Sequence, residues 1–174
     1  MSNSIKQAFQ ELTNQLKANP EQGKNQFNTS STLKEGVQVT TKARQFTLKN
    51  DEPPITGGVD SASNPLEHLI GAFGACQAIT YKALASTQNI HLDKVEVKVK
   101  AFTDLNGFLG LDKKVRPGYL KVEYETILVS DEEPEKLEAL SKKVEQLCPV
   151  LDIFANKVKV EGELQLHRKE QLVS

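Results

Sequence analysis

Two cysteines are the residues of this 174-residue chain best suited to covalent chemistry, and their settings are opposite. Cys76 ends the apolar stretch Leu66-Glu67-His68-Leu69-Ile70-Gly71-Ala72-Phe73-Gly74-Ala75-Cys76. Cys148 ends a charged amphipathic stretch and is followed directly by Pro149. The chain has no other cysteine. Two thiols so far apart do not make a zinc cage, which takes four ligands in close pairs. Nor do they make the dense disulfide framework of a small secreted domain. Two readings stay open. They are inert core thiols, since free cysteine behaves as a small hydrophobe, or they are a nucleophile and the thiol that resolves it.

A thiol attacks only as thiolate, so the surroundings decide its role. Cys76 falls about three turns into a helix, beyond the reach of the N-terminal dipole. Apolar surroundings disfavour a thiolate, so a reactive Cys76 needs a cation from elsewhere in the fold. Arg44 is the candidate by strand parity, with Glu67 as the carboxylate that would hold it. The plainer readings are a snorkelled surface arginine for Arg44 and a helix-capping residue for Glu67. Cys148 sits at a helix C-terminus, where the dipole opposes a thiolate. It suits the second step, condensation with a sulfenic acid on Cys76, and a peroxide is the natural substrate of such a pair. His68, His91 and His167 are isolated and lack metal-ligand spacing. Gly57-Gly58 is not a phosphate loop, so no metal and no cofactor is expected.

The elements that must position these residues follow from periodicity. Ile5, Phe9, Leu12 and Leu16 form a narrow helical stripe over Ser4 to Leu16, closed by Pro20 and Gly23. From Gln26 to Lys49 the pattern is strand-like. Val37, Val39 and Thr41 alternate on odd positions, then Arg44, Phe46 and Leu48 on even ones, which points to a bulge, a bend or a new packing environment and puts Arg44 on the side of Phe46 and Leu48. Asp51 to Asn64 reads as a loop. Asn64, Pro65 and Glu67 suit the N-cap, N1 and N3 positions of a helix running to about Thr87. Its near-absence of charge between His68 and Lys82 predicts a helix buried on most sides. Val95 to Ala101 and Leu120 to Leu128 read as half-buried strands joined by a long hairpin loop over Asp104 to Gly118. Ser130 and Glu133 resemble a capping box ahead of an amphipathic helix bearing Leu137, Leu140, Val144 and Leu147. Val158, Val160, Leu164 and Leu166 predict a last strand. The fold class is therefore α+β, with antiparallel sheets packed around a long buried central helix. One set of strands is too few to cover that helix, so an intertwined homodimer is expected. The whole chain, 1–174, reads as one domain: an N-terminal helix and linker over 1–24, a core over 25–166 and a polar tail over 167–174.

Composition excludes several classes. With 22 basic and 23 acidic residues the net charge is -1, which gives no footprint for nucleic acid or an anionic membrane. The N-terminus lacks the apolar segment of a signal peptide, and no apolar run approaches the roughly 18 residues of a membrane helix. A cytosolic protein is expected, where a catalytic disulfide is allowed and a permanent one disfavoured.

Three segments together resemble the OsmC/Ohr family of osmotically inducible and organic hydroperoxide resistance proteins, in its OsmC-like branch. They are Asp51-Glu52-Pro53-Pro54 leading to Gly57-Gly58-Val59-Asp60, then Asn64-Pro65-Leu66-Glu67-His68-Leu69 with Gly74-Ala75-Cys76, and Leu147-Cys148-Pro149-Val150 after an amphipathic helix. The similarity runs from about residue 25 to 166. It implies an intertwined α+β homodimer with two sites at its interface, and thiol-dependent reduction of small hydroperoxides. Cys76 maps onto the peroxidatic and Cys148 onto the resolving cysteine, recharged by a dithiol such as a lipoyl group. The chain departs from the hydroperoxide-resistance branch at three points. Leu66 stands where that branch is acidic, with Glu67 next to it. No arginine lies near Lys34, and Arg44 fits a strand position of OsmC-like relatives instead. Val150 replaces a tyrosine. The alternatives are a stress or binding protein on this fold with little peroxidase activity and, further off, a hot-dog-type thioesterase.

Overall fold

The computed structural model describes residues 2–168, with side chains from residue 4. The tail expected over 167–174 lies mostly outside the described residues. Helix α1 (Ser2–Ala18) packs against the central helix, with Phe9 and Leu12 of its stripe left exposed, and is followed by a 3-10 turn at Pro20–Gly23. Lys6 ties it down by donating to the Asn89 side chain at 2.8 Å. Strands β1 (Ser30–Leu33), β2 (Val39–Ala43) and β3 (Phe46–Asn50) form an antiparallel meander. Its links to the rest of the chain run through the loop after β3. There Gln38 donates to Ser61, and Asn50 reaches the Ser63 carbonyl and the His68 ring.

The change of parity between β2 and β3 is a tight turn. Arg44 occupies it with φ 55°, a left-handed conformation, and its guanidinium lies over the Phe46 ring, 5.1 Å from the centroid. Arg44 is thus at the tip of a hairpin and not on a strand face shared with Leu48. Alternation cannot tell a bulge from a reversal when two short apolar runs flank a pair of polar residues.

Asp51 organises the loop that follows. Its buried carboxylate accepts hydrogen bonds from the N–H of Glu52, Val59 and Ser61 and from the Ser61 hydroxyl. Gly58 is required here, because a Cβ would lie 1.7 Å from the Glu52 carbonyl oxygen. The Ser61 bonds, chiefly, hold the Asp51 carboxyl down at about 2, from an ordinary 3.8. A carboxyl depressed in the folded state adds stability that is present above the ordinary value and is lost as pH falls through the folded one. An NMR titration of the Ser61 amide should therefore show a midpoint near 2. Asp51→Asn should abolish that transition and loosen the loop at neutral pH. A wild-type midpoint near 3.8 would contradict the assignment.

Helix α2 (Pro65–Thr87) begins as its sequence predicts. The Asn64 side chain accepts from the Glu67 N–H, and the Glu67 carboxylate accepts from the Asn64 N–H, each at 2.9 Å. Strand β4 (Lys94–Phe102) pairs antiparallel with β5 (Lys121–Val129), and the long connection contains a single helical turn, α3 (Leu105–Phe108). The sheet lays Val97 and Val99 against Gly74 of α2. Helix α4 (Pro134–Leu147) packs on α2 and leads at once into α5 (Pro149–Ala155). Tyr81, Ala85, Ile90, Leu92, Leu140 and Val144 form the core between α2, α4 and the sheet.

Two further expectations are corrected. Ser130 and Glu133 form no capping box. The Ser130 hydroxyl donates to the His91 carbonyl, and α4 starts at Pro134 without a side-chain cap. Val158 to Leu166 pairs with no strand among the described residues, and Val160 is 88% exposed. Alternation records which face would be buried, whereas a strand also needs an edge to bond to. Helix α2 is covered on one side only: Gly71, Ala72 and Ala75 are exposed, and Ile79 is 68% exposed. Its low charge marks a surface that this chain by itself leaves uncovered.

Candidate functional site

The fold brings the two cysteines together. Cys76 lies half-buried on α2, Cys148 is 1% exposed at the α4–α5 junction, and both are free thiols. Burial is the first cause pushing the Cys148 thiol up. The neighbouring Cys76 side chain adds to it, and the N–H groups of Leu151 and Val150 pull the other way. Cys148 therefore has a double position: it ends α4, its N–H donating to Val144 O at 2.9 Å, and it caps the start of α5. The sequence reading saw only the α4 end, because a helix restarting directly at Pro149 leaves no loop residues to signal it.

An apolar cleft of about 530 Å³ is lined by Leu66, Leu69, Phe73, Tyr124 and Phe154 among others, and neither cysteine is part of its lining. Phe73 is its inner wall, edge-on to Tyr124 with centroids 5.3 Å apart and tilted on Phe154 at 5.5 Å. Leu69 is seven residues before Cys76, so the two share a helix face. The Tyr124 hydroxyl donates to Glu145 at 3.0 Å. Burial first, then that bond, pushes it up to about 12. Tyr119 donates to the Leu66 carbonyl at 2.5 Å and closes the hairpin loop onto the start of α2.

The other two candidates are not brought to the thiols within one chain. Glu67 is committed to its cap and stands nine residues before Cys76, about 13 Å along the axis and on the opposite face. Arg44 is at its hairpin tip. The charged members of the cleft wall are Arg116 and Lys121, which sequence reasoning passed over. Arg116 forms no hydrogen bond or ion pair among the described residues. The scarcity of arginine (only Arg44, Arg116 and Arg168 in the chain) was the available signal. His68 accepts or donates at Nδ1 with Asn50 at 2.8 Å, a structural tie between β3 and α2. Among the described residues no His, Cys, Asp and Glu group is arranged to hold a metal ion, and no helix is long and apolar enough to cross a membrane.

An antiparallel hairpin and a two-helix layer around α2, with paired thiols between them, define an α+β fold of the OsmC-like type. The family profile described as OsmC-like protein matches residues 58–163, and the chain belongs to this family. Among solved structures it is similar to an OsmC-like protein from Mycoplasma pneumoniae, with TM-score 0.66 and 18% identity over 75% of this chain and 88% of that one. It is also similar to an organic hydroperoxide resistance protein from Legionella pneumophila, with TM-score 0.56 and 19% identity over 74% and 88%. A third is an organic hydroperoxide resistance protein from Elizabethkingia anophelis, with TM-score 0.58 and 17% identity over 74% and 87%. At such identities the likeness is one of fold. No curated protein matches the chain in sequence.

Proposed function

We propose that this protein is a cytosolic, homodimeric, thiol-dependent hydroperoxide reductase. Cys76 attacks the outer oxygen of a hydroperoxide, releasing the alcohol and becoming a sulfenic acid. Cys148 condenses with it, water leaves, and a dithiol, a lipoyl group for instance, reduces the disulfide. The observation that carries this reading is the meeting of the chain's two cysteines as free thiols, with Cys76 itself acting on the Cys148 thiol. The apolar cleft between the start of α2, β5 and α5 suits an organic hydroperoxide, and two of the solved relatives are called organic hydroperoxide resistance proteins. The test is consumption of cumene hydroperoxide with dihydrolipoamide or dithiothreitol as reductant. Turnover well above that of the free dithiol is expected.

The homodimer is supported by what one chain leaves bare: the open face of α2 at Gly71, Ala72 and Ile79, and the unpaired, exposed segment from Val158 to Leu166. In such a dimer the Arg44 hairpin tip is free to serve the partner's thiols, with Glu67 as its counter-charge. Sedimentation equilibrium should give twice the chain mass of 19.3 kDa. Leu164→Asp combined with Leu166→Asp should shift the protein toward monomer. A wild-type mass of 19.3 kDa would contradict the assembly.

A second reading, a stress or binding protein with little peroxidase activity, is favoured by the separation of Arg44 and Glu67 from Cys76 within the chain. The same assay decides: a rate no greater than the free dithiol's supports it.

A further inference from the structure

Cys148 has to give up its proton in a dry place. At 1% exposure its thiolate would be starved of solvent, and a buried anion persists only with hydrogen-bond donors around it. The Leu151 and Val150 N–H groups supply part of that need. Next to Cys76 in sequence stands a donor with nothing to do. Gln77 is 0% exposed, and neither its Nε2 nor its Oε1 has a partner. With the Thr126 hydroxyl, these are the buried side-chain polar atoms left unpaired among the described residues.

The packing puts this amide at the level of the thiols. The Tyr81 hydroxyl donates to Ser141 at 2.8 Å, which fixes one rung between α2 and α4. Because Cys76 and Cys148 also meet, the two helices run antiparallel. Cys148 is seven residues beyond Ser141, about 10 Å along α4, and Gln77 is one turn back from Tyr81, about 6 Å along α2. Gln77 is therefore within about one turn of Cys148's level. On the sheet side Phe73 meets Tyr124. One helical turn and two strand residues are both about 6 Å, so Gln77 comes level with Thr126. Phe73 and Tyr81, one turn to either side on the same face, flank it and touch Phe154 of α5 and Ser141 of α4, the two helices that join at Cys148.

We propose that Gln77 is the hydrogen-bond donor that steadies the Cys148 thiolate as it closes onto oxidised Cys76. This rests on the hydroperoxide-reductase reading. In that step the Cys148 sulfur forms the S–S bond, the S–O bond of the Cys76 sulfenic acid breaks, and the departing hydroxide takes up the Cys148 proton as water. The peroxide has already supplied the oxidation, so no other oxidant is needed. A buried amide without a partner weakens a fold, and an apolar side chain of the same shape would be neutral or better. Gln77 thus stands where stability alone would not keep it.

The test compares wild type with Gln77→Met and Gln77→Leu after one equivalent of cumene hydroperoxide, following the sulfenic acid by dimedone trapping and the disulfide by mass spectrometry. Both variants should melt at or above the wild-type temperature and form the sulfenic acid at the wild-type rate. Both should close the disulfide about tenfold or more slowly, with the rate recovering at higher pH. Closure at the wild-type rate overturns the proposal while leaving the reductase reading intact. A marked drop in melting temperature in both variants also overturns it, since the amide is then structural. Absence of any sulfenic acid or disulfide in the wild type overturns the reductase reading and this inference with it.

Discussion

Cys76→Ser is expected to reduce hydroperoxide consumption to the background of the free dithiol, a loss of about three orders of magnitude or more. The chain has one other thiol, Cys148, and that one is buried, with burial the first cause pushing it up. Cys148→Ser should behave differently. One equivalent of peroxide per chain should still be consumed, leaving a long-lived sulfenic acid on Cys76, while disulfide formation stops. Stopped-flow consumption with dimedone trapping separates the two phenotypes. Equal loss of the first turnover in both variants would contradict the division of labour, and full activity in Cys76→Ser would remove Cys76 from the chemistry.

Phe73→Ala is expected to cost about 3–5 kcal/mol of stability and to lower the melting temperature by roughly 6–20 °C. Phe73 is 1% exposed and packs against Tyr124 of β5 and Phe154 of α5. Truncation therefore leaves a void joined to the cleft and removes the ring pair that seats α5 against α2. Because Cys148 starts α5, closure of the disulfide should slow as well. Thermal denaturation and single-turnover closure measure the two effects. A melting temperature within about 2 °C of wild type would show that the site collapses without loss, contrary to the account.

What sequence reading recovers here depends on whether the signal is local. The α2 cap was legible because Asn64, Pro65 and Glu67 complete it within four residues. The β4 and β5 strands were legible because one face of each is packed and the other solvated, so polarity alternates cleanly. The residues left a Cys76–Cys148 pair as one of two readings, because the geometry that brings them together, antiparallel packing of α2 and α4, is non-local. Arg44 was misplaced because a two-residue reversal and a bulge leave the same trace of shifted parity. Val158 to Leu166 was given a strand because its alternation resembles β4, but the chain offers no edge that pairs with it. The cleft wall at Arg116 and Tyr119 lay in a stretch without periodicity, and its closure over Leu66 depends on one long-range hydrogen bond. Gln77 carried no sequence signal at all, since a single amide in an apolar helix becomes informative only once its partners can be counted.

In the proposed reaction the two thiols combine with each other when a peroxide is reduced. Mass spectrometry of the non-reduced protein after one equivalent of cumene hydroperoxide tests that most directly. The result predicted is loss of two hydrogen atoms per chain, with a single peptide pair joined through Cys76 and Cys148. Thiols left free while peroxide disappears no faster than in buffer, or oxidation accumulating on Cys148 with Cys76 untouched, would contradict it.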